Sequence, residues 1–160
     1  KQLMVKRILI LCGERNSGKT KTLRKLFGVS SRKQIASIRI DGKIVCIKYF
    51  GSPQELKDFC HVKKVIENIK ERLTYAKRNF NNNFILVIPF TLIRKGNRTN
   101  EDCIVKPIKW LRTRYTTHII YLRKINYADV IMERLARSEI KSTEDYIRQS
   151  NQLKEIIKSL

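Results

Sequence analysis

Arg7-Ile8-Leu9-Ile10-Leu11-Cys12 runs straight into Gly13-Glu14-Arg15-Asn16-Ser17-Gly18-Lys19-Thr20, and this join decides the fold. The first run is short and continuously apolar, which suits a strand buried on both faces. Downstream, Lys21-Thr22-Leu23-Arg24-Lys25-Leu26-Phe27 has helical spacing and stops at Gly28. Strand, glycine loop and helix follow each other without a gap. Gly13 and Gly18 permit backbone conformations closed to residues with a Cβ, and let the chain approach an anion closely. Loop amides then converge on that anion, and the helix N-terminus adds partial positive charge.

The spacing G-x-x-x-x-G-K-T is the complete Walker A pattern, in the strand-to-helix context that gives it meaning. On these residues the chain resembles the P-loop NTPase superfamily. The resemblance implies an α/β fold, with a mainly parallel sheet flanked by helices. It implies a nucleoside triphosphate ligand, ATP or GTP, with Mg²⁺. Gly13, Glu14, Arg15, Asn16, Ser17, Gly18, Lys19, Thr20 and Lys21 are the expected phosphate-binding set. Lys19 is expected to reach the β- and γ-phosphates and to act in catalysis, and Thr20 to offer its hydroxyl to the metal.

The chain has 160 residues, 35 Lys and Arg against 14 Asp and Glu, and a net charge of +21. Residues 1–160 read as one domain, long enough to bury a core. So basic a chain repels itself unless anions lie nearby, so DNA or RNA is a candidate partner. Trp110 and Tyr115 flank Arg112 and Arg114, a pattern on which bases of a single strand can stack. The four cysteines (Cys12, Cys46, Cys60, Cys103) show no C-x-x-C pair and no zinc spacing. Cys12 and Cys46 lie in apolar runs and are expected to be buried thiols. With no signal-peptide pattern and no apolar stretch of spanning length, a cytoplasmic location is expected.

Further along, Ala36–Ile40 and Ile44–Tyr49 are β-type runs joined by Asp41-Gly42, a strong hairpin signal. Ser52-Pro53-Gln54-Glu55 reads as a helix start with a capping box. The stripe Phe59, Val62, Ile66, Ile69, Leu73, Ala76, Phe80 carries that helix to Asn81-Asn82-Asn83. Phe84–Ile88 is the next strand. Thr91 to Asp102 reads as a mobile loop bearing Arg94 and Arg98. A short helix from Lys106 to Arg112 and a strand at His118–Leu122 follow. Tyr127–Ile140 and Ser142–Leu160 read as helices, the latter with Ser142 and Asp145 as a capping pair.

A second metal-side carboxylate is not evident. The apolar strand expected beside the loop strand ends Val87-Ile88-Pro89-Phe90, without an acid. Asp41 suits its turn and Glu55 its cap, which leaves Asp58 and Glu14. Residues 36–55, ending Gly51-Ser52-Pro53-Gln54-Glu55, resemble the hairpin region of small GTPases, with Lys48 where that family has Asp. No N-K-x-D motif accompanies it, so the resemblance implies topology more than guanine specificity. Residues 118–157 resemble the last strand and arginine-bearing lid of P-loop nucleotide and deoxynucleoside kinases. That resemblance implies a phosphate-clamping, catalytic role for Arg134 and Arg137. The expectation is a Mg²⁺-dependent triphosphatase, ATP foremost, working near nucleic acid. The alternatives are a small kinase acting on a nucleoside-like acceptor, and a nucleotide-gated binding protein with little turnover.

Overall fold

Alternation along the first strand sets the layers. In β1 (Lys6–Glu14), Ile8, Ile10 and Cys12 enter one hydrophobic cluster while Leu9 and Leu11 enter another. Successive side chains of a strand point to opposite faces, so both faces of β1 must be covered. The computed structural model describes residues 6–14, 17–54, 61–92, 98–124, 130–143 and 145–160. After β1 come α1 (Lys19–Phe27), β2 (Ile35–Ile40), β3 (Lys43–Lys48), α2 (Val62–Phe80) and β4 (Phe84–Leu92). Then follow α3 (Arg98–Arg112), β5 (Thr116–Arg123), α4 (Val130–Leu135), β6 (Ser138–Lys141) and α5 (Tyr146–Lys158).

The strands form one six-stranded sheet in the order β2-β3-β4-β1-β5-β6. Only the β2–β3 pair is antiparallel. The α/β class and the hairpin after the first helix are as the sequence implies. Asp41 and Gly42 both take positive φ, 52° and 77°, as a tight hairpin turn of this kind requires. β4 lies between that hairpin and β1, with Gly13 opposite Thr91. On one face, Ile69 and Leu73 of α2, Ile104 and Ile108 of α3 and Met132 of α4 pack on the even residues of β1. On the other, Leu23 and Phe27 of α1 and Leu153 and Ile157 of α5 pack on Leu9 and Leu11.

Several elements differ from the sequence expectation, each because a tertiary partner outweighs the local pattern. The helix expected from Ser52 begins at Val62, with His61 as its N-cap residue. Ser52 and Gln54 instead serve β4. Ser52 Oγ lies 2.6 Å from Thr91 Oγ1, and Gln54 Oε1 accepts from the Thr91 amide at 2.8 Å. Arg72, which lies off the apolar stripe of α2, is nonetheless 2% exposed. It donates to Asn68 Oδ1 and to the carbonyls of Tyr49 and Gly51 at 2.7, 3.2 and 2.8 Å. Those bonds hold a corner in which Tyr49 takes φ 65°, costly for a bulky residue.

The expected loop from Thr91 to Asp102 is shorter. Thr91 and Leu92 finish β4, residues 98–102 are already α3, and residues 93–97, with Arg94, lie outside the described residues. α3 carries Pro107 in its interior, not at its start. The helix expected through Ile140 stops at Leu135, and Ser138–Lys141 becomes strand β6 because Ile140 pairs beside Leu122 on the core side. α5 starts at Tyr146, capped by Asp145, which accepts from the Arg148 amide at 3.1 Å.

Cys12 and Cys46 are buried thiols outside any disulfide, and burial pushes the Cys46 thiol up to about 12. Cys103 is disulfide-bonded. No helix among the described residues is long and apolar enough to cross a membrane.

Candidate functional site

β1, β3, β4, β5 and β6 run parallel, so their C-terminal ends share one edge of the sheet. The glycine loop emerges there. Gly18 is the N-cap residue of α1 in the left-handed conformation, φ 87°, and among the described residues no side chain caps that helix end. No acid lies in the first turn of α1. The first amides of a helix lack intrahelical acceptors, so this end offers uncommitted donors and partial positive charge. Thr20 lies exposed on that first turn. Arg15 and Asn16 lie outside the described residues.

Lys19 is folded back and buried. Its Nζ donates to Gly13 O at 2.7 Å and Glu14 O at 2.9 Å. These bonds close the loop into a ring and hold the ammonium inside it. Gly13 is needed for a different reason from Gly18. Its φ is not positive, but a Cβ there would lie 2.5 Å from Ser17 Oγ and 3.0 Å from Leu122 O. The demand is close approach. Ser17 Oγ, in that cradle, is buried and has no hydrogen-bond partner among the described residues.

The loop is also held from behind by α5. Ser142 Oγ donates to Ser17 O at 3.1 Å, Gln149 Nε2 donates to Ser142 Oγ at 3.1 Å, and Thr22 Oγ1 donates to Gln149 Oε1 at 2.7 Å. A Cβ on Gly18 would meet Tyr146 Cε1 at 2.5 Å. Lys21 extends its ammonium over the Tyr146 ring, 5.0 Å from the centroid. Ser142, expected as a cap, is thus a loop support. Gln149 is a support that no motif announces. Its one signal is position: an amide on the buried stripe Gln149, Ser150, Leu153, Ile157 of α5.

Glu14 is 5% exposed and its Oε1 lies 3.9 Å from Lys124 Nζ, just past β5. β4, beside β1, ends in Thr91 and Leu92, so the acid missing from the sequence is missing at the corresponding strand end too. Asp41 sits in the hairpin turn. Glu55 and Asp58 lie outside the described residues, which contain no cluster of three metal-ligating side chains. Arg134 lies in the last turn of α4 and Arg137 just before β6. α4 leads from the end of β5 to the start of β6, and the Arg137 amide donates to Ile119 O at 2.9 Å. Ile119 pairs with Ile10, three residues before Gly13 along β1.

No family model, curated protein or solved structure matches this chain. The residues themselves carry the functional argument.

Proposed function

We propose that the chain binds a nucleoside triphosphate with Mg²⁺ at the Gly13–Thr20 loop, ATP foremost, and hydrolyses it slowly in contact with nucleic acid. The observation that carries this is the loop itself. A left-handed Gly18 opens an uncapped helix, Lys19 is held inside the loop, and a close-approach glycine faces an unpartnered buried hydroxyl.

The residues fit the group they would hold. The α1 amides and Lys19 would take the phosphates, and Thr20 would offer its hydroxyl to the metal. Bound Mg²⁺ would neutralise phosphate charge. Slow turnover follows from the end of β4. Thr91 and Leu92 supply no carboxylate beside the loop, and Glu14 faces Lys124. That observation favours, as a second reading, a protein switched by bound nucleotide.

The test is a titration with fluorescent ATP and GTP analogues, with Mg²⁺ and with EDTA. Lys19→Ala should weaken binding at least tenfold, about 1.4 kcal/mol, while Lys21→Ala changes it much less. Thr20→Ala should lose affinity in Mg²⁺ and little in EDTA. Equal affinity for the two lysine variants would sink the assignment.

A further inference from the structure

At the opposite edge of the sheet, β1, β4 and β5 begin and helices α2 and α3 end, while α4 ends level with Ile119, midway along β5. Lys6 and Arg7 open β1, Lys77 lies in the last turn of α2, and Arg112 ends α3. Arg114 follows in the turn to β5, and Arg137 stands just before β6. The elements converge: Lys6 is opposite Phe84, Arg7 is opposite Thr116, and Arg112 Nη2 donates to Leu135 O at 3.4 Å. Arg7 is half-buried and the other five are exposed.

Acids are absent from the segments that build this edge. Residues 72–100 and 103–128 contain no Asp or Glu. Glu133 of α4 and Glu139 of β6 are both turned to Arg123, at 3.2 and 3.4 Å. Cations at helix ends complement the helix dipole, which accounts for Lys77 and Arg112. It does not account for Lys6, Arg7, Arg114 or Arg137, which lie outside helices. His118 reports the resulting field: burial first, then the charges of Arg7 and Arg137, push its imidazole below its usual value.

We propose that this edge, opposite the glycine loop, docks the phosphodiester backbone of a nucleic acid through Lys6, Arg7, Lys77, Arg112, Arg114 and Arg137. The rings on this side hold cations in place. Arg114 Cζ lies 4.4 Å and Lys70 Nζ 5.6 Å from the Trp110 centroid, and Lys77 Nζ lies 5.4 Å from that of Tyr115. Trp110 and Tyr115 also pack against the core. The stacking expected of these rings is therefore already taken up by the protein's own cations. Recognition is of backbone charge, and sequence selectivity is weak. The inference rests on the nucleic-acid part of the proposed function and is independent of its nucleotide part.

The probes are a labelled mixed-sequence DNA 20-mer, single-stranded and as duplex, titrated at about 50 and 200 mM salt. Wild-type protein should bind both, and lose affinity steeply between the two salt concentrations. The triple variant Lys77→Glu, Arg112→Glu, Arg114→Glu should lose at least tenfold at the lower salt. Its log–log salt slope on duplex should flatten by about 2–3 units, near 0.9 per lost phosphate contact. Its unfolding temperature should fall modestly, because Glu opposes the dipole at two helix ends and the ring contacts are lost, and its nucleotide-analogue affinity should match wild type. Lys19→Ala should show the reverse, with oligonucleotide binding kept and nucleotide lost. No oligonucleotide binding by wild type at the lower salt overturns the proposal. So does undiminished binding by a folded triple variant, or wild-type binding to phosphatidylserine vesicles but not to DNA.

Discussion

Where β1 ends, positive charge comes from backbone amides at the start of α1 and from one ammonium held by the carbonyls of residues 13 and 14. Where β1 begins, it comes from exposed side chains on five stretches of chain. The first kind is fixed by geometry, local in sequence, and nearly indifferent to composition. The second is spread through the sequence and becomes a surface only when the sheet assembles. Buried, preorganised charge selects one anion in one pose. Exposed charge is screened within about 10 Å at 0.1 M salt and attracts any polyanion.

Perturbing the first end should be severe and local. Gly18→Val forces a β-branched residue to φ 87° and drives its Cβ into Tyr146. We expect a loss of about 2–3 kcal/mol in stability, read by urea unfolding, together with loss of nucleotide-analogue binding. Normal stability with normal binding would show that the loop tolerates a different path.

A smaller change tests the support behind the loop. Gln149→Leu keeps the size but strands Thr22 Oγ1 and removes the donor to Ser142 Oγ. The expected cost is about 1–3 kcal/mol, with weaker nucleotide binding and unaltered binding of oligonucleotide at the far edge. Gln149→Glu keeps an acceptor for Thr22 and should recover part of the stability. If both variants bind nucleotide as wild type does, α5 packs behind the loop without shaping it.

The smallest effect belongs to the far edge. The folded imidazole of His118 sits below its ordinary 6.5, so the unfolded chain binds the proton more readily. Stability is therefore fully present above pH 6.5 and falls as pH drops from there towards the folded value. His118→Gln should flatten that slope in urea titrations between about pH 7 and 5. An unchanged slope would mean that neither burial nor the charges of Arg7 and Arg137 disfavour the protonated ring.

The loop and the hairpin were legible because each is decided within a few residues: Gly18 and Asp41-Gly42 each need a particular φ. What escaped is decided across the chain. Ser52 and Glu55 read as a capping box, but Ser52, with Gln54, is bound to Thr91. Ser138–Lys141 is too short to show a period, and becomes strand only beside β5. Gln149 carries no motif, and Arg72 looks like any surface arginine on a helix until the Tyr49 corner packs against it. The lid role of Arg134 and Arg137 rests on resemblance alone, and the Arg137 backbone lies level with Ile10, midway along β1.

The ties between α5 and the loop join residues 125 and 127 positions apart in sequence. During synthesis, Gly13 to Thr20 leave the ribosome long before Gln149. The loop's own segment is made early, yet its rear support arrives only when α5 docks. Closing so large a circuit is slow compared with forming a local turn. The site therefore matures well after its motif is translated, and a nascent chain lacking α5 should hold nucleotide poorly even with β1 and α1 in place.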